Sequence, residues 1–124
     1  MTATRVRVVT GCEAVREALA ALPDAMRPTA FQHPAWTCCW LAGSERAENE
    51  TVLALVECAE TDRPLFALPL TLDTFGAAAY WAPLDHGVCD YNASFTAPDF
   101  HPSPVEMRSI WTRIVAALPD DAAF

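Results

Sequence analysis

The sequence predicts an α/β protein of the mixed, α+β kind, with a central, mostly antiparallel sheet flanked by helices. Three observations predict it. Two nearly unbroken apolar runs, Thr51 to Ala59 and Leu65 to Leu72, are separated by the turn-forming stretch Glu60-Thr61-Asp62-Arg63-Pro64, which reads as a β-hairpin. Behind a short Val-rich alternation, Val15, Ala18, Leu19 and Leu22 recur at the spacing of an amphipathic helix. Near the other end, Met107, Ile110, Trp111, Ile114 and Leu118 form a second helical stripe with its own start signal.

Taken in order, Arg5 to Val9 alternates as a strand does. Thr10-Gly11-Cys12-Glu13 then has the T-x-x-E form of a capping box, and Pro23 ends the first helix. Asp24 to Ala30 reads as a linker. A second helix follows, with Pro34 in its first turn and Gly43 at its exit; Trp36, Cys39 and Trp40 share one face of it. The polar stretch Ser44 to Glu50 is a solvated loop that leads to the hairpin. Pro69 interrupts the second hairpin strand and cannot donate a ladder hydrogen bond, so it marks a bulge or an edge. After a turn at Phe75-Gly76, Ala77 to Trp81 form a further strand, ended by Pro83. Leu84 to Pro102 is a long irregular stretch, of the kind that is often functional inside compact domains. Ser103-Pro104-Val105-Glu106 supplies an N-cap, a proline at the first helical position and a capping-box Glu. The order is β-α-α-β-β-β-loop-α.

Composition narrows the functions. At 124 residues with 52% hydrophobic side chains the chain can bury a core as one domain. Its net charge is −8, from 16 acidic residues against 8 basic ones, every one of them Arg. That balance excludes the basic face that nucleic acid or an anionic membrane surface requires. No apolar run reaches the roughly 18 residues of a membrane span, and Met1 to Arg5 lacks the apolar region of a signal peptide. The five cysteines, Cys12, Cys38, Cys39, Cys58 and Cys89, lack framework spacing and are read as reduced, which fits a cytoplasmic protein.

Chemistry-bearing patterns are few. The four Gly are too widely spaced for a phosphate-cradling loop. The densest set of reactive side chains is Asp85-His86-Gly87-Val88-Cys89-Asp90-Tyr91-Asn92. No second pair of Cys or His completes a tetrahedral metal site there, so no metal is expected. Cys89 and His86 are the residue types of a thiolate–imidazolium pair, which keeps a small Cys-dependent hydrolase open. A loop that folds on itself through its Asp and Asn side chains explains the same residues without chemistry.

Phe31-Gln32-His33-Pro34-Ala35-Trp36 followed by Trp40 resembles the "F-Q-x-x-x-W…W" helix entry of CelD/BcsL-type proteins. These are GNAT-superfamily acyltransferases named for bacterial cellulose biosynthesis and related to FemAB-like proteins. Leu68-Pro69-Leu70 resembles the family's "L-P-L", and Gly87 to Ala93 resembles its "G-x-x-x-D-Y-N-x", with Ala97-Pro98 following. The resemblance runs from about Phe31 to Leu118 and rests on the order and spacing of these motifs. It implies a GNAT-like half, in which Asp90, Tyr91 and Asn92 contact the acceptor or a partner half, with Trp36 and His86 as further candidates; the acceptor would be a small molecule, sugar or amine.

The family uses acyl-CoA (acetyl-CoA) and pairs two GNAT-like halves. None of the four Gly here has Gln or Arg three residues before it, so the Q/R-x-x-G-x-G/A cradle for the donor pyrophosphate is missing. The resemblance therefore implies an incomplete, N-terminal half. No cofactor is expected to bind it alone, and its partner would be a C-terminal GNAT half or a second copy. A non-catalytic α/β recognition or interaction module is the alternative. An isolated half is expected to leave an unpaired sheet edge or apolar patch, and so to self-associate or dissolve poorly.

Overall fold

The computed structural model describes residues 3–27, 50–83 and 94–119. Five strands form one antiparallel sheet: β1 (Thr4–Thr10), β2 (Thr51–Cys58), β3 (Pro64–Phe75), β4 (Ala78–Pro83) and β5 (Phe95–Thr96). Their order is β1-β2-β3-β4, and β5 pairs with β3. Helix α1 (Cys12–Ala20) and helix α2 (Pro104–Ala117) pack on the sheet. The second helix expected from Pro34 lies outside the described residues.

Strand β2 explains the layering. Every one of its residues is buried, which is why its sequence runs apolar without alternating. Successive side chains point to opposite faces. Leu53 and Leu55 join Val15 and Leu19 of α1 with Ala67 and Phe95; Val52, Ala54 and Val56 join Ile110 and Ile114 of α2 with Leu70 and Trp81. The helices therefore cover opposite faces, giving three layers. Phe100 packs against both cores where the chain rounds the end of the sheet.

The start of α1 differs from the capping box expected at Thr10. The N-cap is Gly11, at φ 103°, and no side chain caps the helix. Thr10 is instead the last residue of β1, paired with Val52, and Gly11 donates its N–H to the Thr51 carbonyl at 2.9 Å. A strand that runs directly into a helix needs a residue free to turn with positive φ, and Gly meets that without steric cost. Glu13 pairs with Arg16 rather than with the helix start. At the other end Arg27 donates to the Leu19 and Leu22 carbonyls and lies over the Phe95 ring, 5.5 Å from its centre. The expected linker from Asp24 begins as a 3-10 turn, Asp24–Met26, because Met26 is drawn into the α1 core.

In α2, Ser103 Oγ accepts the Glu106 N–H and the Glu106 carboxylate accepts the Ser103 N–H, the reciprocal box read from the sequence. Ile110, Ile114 and Leu118 are buried, whereas Trp111, placed on the same stripe, is 38% exposed at its margin.

The stretch Leu84 to Pro102 is not irregular throughout. Pro83 pairs with Leu70 and Phe95 with Ala67, so β4 and β5 follow one another along the same edge of β3. Across the break only Leu68 and Pro69 of β3 lack an outer partner among the described residues. Hydrogen bonds from Gly11 N–H to Thr51 and from Cys58 N–H to Arg63 set the ladder phase. In that phase Leu68 and Leu70 bond to β2, and Pro69 faces outward. The proline thus faces a side on which no described residue pairs with it, and its missing N–H costs no bond to β2. The bulge in this hairpin lies elsewhere, between Val56 and Glu57.

Candidate functional site

Three places in the described structure gather polar groups. The first is the returning side of residues 84–93, where Ser94 leads into Thr96 of β5. The anchors of that stretch are three residues apart on β3, roughly 10 Å at strand rise. The chain between them carries His86, Asp90, Tyr91 and Asn92, which lie, like Trp36 and Cys89, outside the described residues. The structure thus fixes only the described residues on either side of this stretch, Pro83 and Ser94. Ser94 Oγ and Thr96 Oγ1 lie 3.0 Å apart on the returning side.

The second is a groove of about 510 Å³ at the opposite end of β3. It lies between the first residue of β1, the segment 99–102 and one flank of α2. The segment is held at three points. Ala97 N–H bonds to Leu65 and Phe100 N–H to Ala97, while Arg63 grips Asp99 with two bonds of 3.0 and 2.9 Å. Phe100, Val105 and Ile110 give the groove apolar walls, and His101, Ser109 and Arg113 its polar rim. Arg113 bonds to Thr4, with Nη1 on its carbonyl at 2.9 Å and Nη2 on Oγ1 at 2.7 Å, and its buried Nε has no partner among the described residues.

The third is the charged cluster around the β2–β3 turn. Glu57, buried, accepts from Arg7 Nε at 2.7 Å and faces Arg5 at 3.4 Å, while Arg5 also holds Asp62 at 2.6 Å. Hydrogen bonding to Asp62 first, then to Glu57, raises the Arg5 pKa. Arg63 holds the Asp99 carboxyl below the ordinary carboxylate range through its hydrogen bond, and Asp99 in turn raises Arg63. The Cys58 thiol is lowered by the Thr61 hydroxyl, helped by the Glu60 and Thr61 N–H groups of the turn.

Cys12 and Cys58 are free thiols. Among the described residues no group of three or more His, Cys, Asp or Glu could hold a metal ion. No helix among them is long and apolar enough to cross a membrane. The N-terminus of α2 is a poor seat for a diphosphate: Pro104 has no N–H, and Glu106 places a carboxylate in the first turn.

The groove went unread in the sequence. Thr4 and Arg113 meet across 109 positions of the chain, and no local pattern encodes that. His101-Pro102 lay within the irregular stretch but carried no motif. No family model matches the chain, and neither a curated protein nor a solved structure does.

Proposed function

We propose that the chain is the acceptor-side half of a GNAT-type N-acyltransferase resembling the CelD proteins. In this reading it works with a second GNAT-like half that carries acyl-CoA. The observation that supports it most is that β4 and β5 pair with the same edge of β3, on either side of residues 84–93. The stretch with Asp90, Tyr91 and Asn92 departs from Pro83 and returns at Ser94, so both of its ends are tied to β3. Trp36 and His86 are the further acceptor-side candidates.

The reaction would be direct attack of an acceptor amine or hydroxyl on the thioester carbonyl, with a base taking the acceptor proton and the CoA thiolate leaving. The self-capped start of α2 fits a half that does not hold the donor.

Calorimetry tests this division. Acetyl-CoA added to the isolated chain is expected to give no heat of binding, and a Kd below about 1 mM would overturn the divided site. An in-frame second GNAT-like half is expected in the DNA downstream of the Phe124 codon. In the joined protein, Asp90→Ala and Tyr91→Phe should raise the KM for the acceptor while leaving that for acetyl-CoA unchanged. A second reading, a non-catalytic recognition module, is favoured by the outer edge of β1, which pairs with no strand among the described residues.

A further inference from the structure

We propose that the groove along α2 binds a small linear zwitterion, an ammonium and a carboxylate joined by an apolar spacer, with its carboxylate on Arg113 and its ammonium on Glu106.

The placement of two charges is the first ground. Glu106 and Arg113 both line the groove, seven residues apart on α2. Two helical turns return them to nearly one face, roughly 10 Å apart along the axis. Their bonds go to uncharged groups. Glu106 accepts the Ser103 N–H at 3.3 Å, and Arg113 donates to the Thr4 carbonyl and hydroxyl. Neither pairs with an opposite charge among the described residues.

The neighbouring charges are answered. Arg63 holds Asp99, the other carboxylate of the groove, with two bonds. Arg5, Arg7, Arg16 and Arg27 also pair with carboxylates, so Arg113 stands apart as a half-buried guanidinium without one. On a chain with 16 acidic residues against 8 basic ones, that is not for want of carboxylates. A charge that has given up part of its water gains from a counter-ion.

What lies between the charges is the second ground. Ile110 and Ser109 stand between them on α2, and Phe100 and Val105 add apolar wall. Val105 is 77% exposed, an apolar side chain left open on the groove. The volume of about 510 Å³ falls within the roughly 300–1,000 Å³ of small-molecule sites, where apolar walls give burial and a few polar groups fix orientation.

Other small ligands fit less well. A fatty anion would meet Arg113 but bring its charge into a groove that also holds the Glu106 carboxylate. An amine would answer Glu106 and leave Arg113 as it is. A compact zwitterion such as glycine cannot span two helical turns. A linear one answers both charges and adds no net charge.

The test titrates ε-aminocaproate, caproate, hexylamine and glycine into the whole isotope-labelled chain, read by NMR shifts. ε-Aminocaproate should move the signals of His101, Ser109 and Arg113 and bind at least about tenfold more tightly than the other three. Glu106→Gln keeps the capping box, because Gln serves at that position as Glu does, and removes only the charge. In that variant ε-aminocaproate should bind no better than caproate. In Arg113→Gln it should bind no better than hexylamine; if loss of the Thr4 bonds unfolds that variant, Glu106→Gln decides. Equal binding of caproate, no binding of ε-aminocaproate, shifts confined to residues outside the groove, or unchanged affinity in Glu106→Gln would overturn the proposal. Acyl-CoA takes no part in these measurements, so their outcome is independent of the acyltransferase reading.

Discussion

Thr71 is 1% exposed, and its hydroxyl has no hydrogen-bond partner among the described residues. A buried hydroxyl without a partner loses its water bonds and gains nothing in return. Thr71→Val keeps the branched shape that a strand favours and removes that loss, so it should raise stability by about 1 kcal/mol in a urea melt. A drop of similar size would show that the hydroxyl has a partner. Asp99 offers a pH-dependent case. Its carboxyl is depressed by the hydrogen bond from Arg63, so its contribution is present above the unfolded value, near ~3.9, and is lost as pH falls through the lower folded value. Asp99→Asn should therefore be less stable than the wild type at neutral pH, with the gap closing in acid. Denaturant midpoints at about pH 7 and about pH 2.5 measure this, and a constant gap would refute it. This partner choice was not legible in the sequence, because Arg63 and Asp99 stand 36 positions apart and meet only where the turn touches the segment before α2.

The strands and helices were legible to different degrees. The cap of α2 could be read residue by residue, because Ser103, Pro104 and Glu106 act on backbone groups within one turn. The same logic failed at Thr10. Its T-x-x-E spacing is correct, but pairing with Val52 holds Thr10 in the ladder and passes the turn to Gly11. Strand β5 was missed because two residues carry no period; Phe95 is placed by the edge of β3 and by the core beneath α1. For β1 the alternation of inward and outward amides gives a direct measurement. In hydrogen exchange, Arg5, Arg7 and Val9 amides should be protected and Val6 and Val8 amides should exchange much faster. Equal protection would mean that something already covers the edge.

Across the molecule, stability should be greatest where the layers meet. Every residue of β2 is buried, and β2 lies between β1 and β3 with a helix core on each face. Amides of Val52 to Val56 can exchange only when both cores open, so they should be the slowest in the chain and report global unfolding. Faster exchange in β2 than in α2 would show that the α1 layer opens separately.

The sequence by itself determined the alternation of strand and helix, the apolar character of β2 and the start of α2, because each depends on residues within a turn or two of one another. Only the tertiary structure decided which face each helix covers, that β4 and β5 share one edge of β3, and that Arg113 reaches Thr4 to close a groove beside β1. Those depend on ladder phase and on contacts between residues far apart in the chain, and an alternating pattern is the same whichever partner, or none, lies beside it.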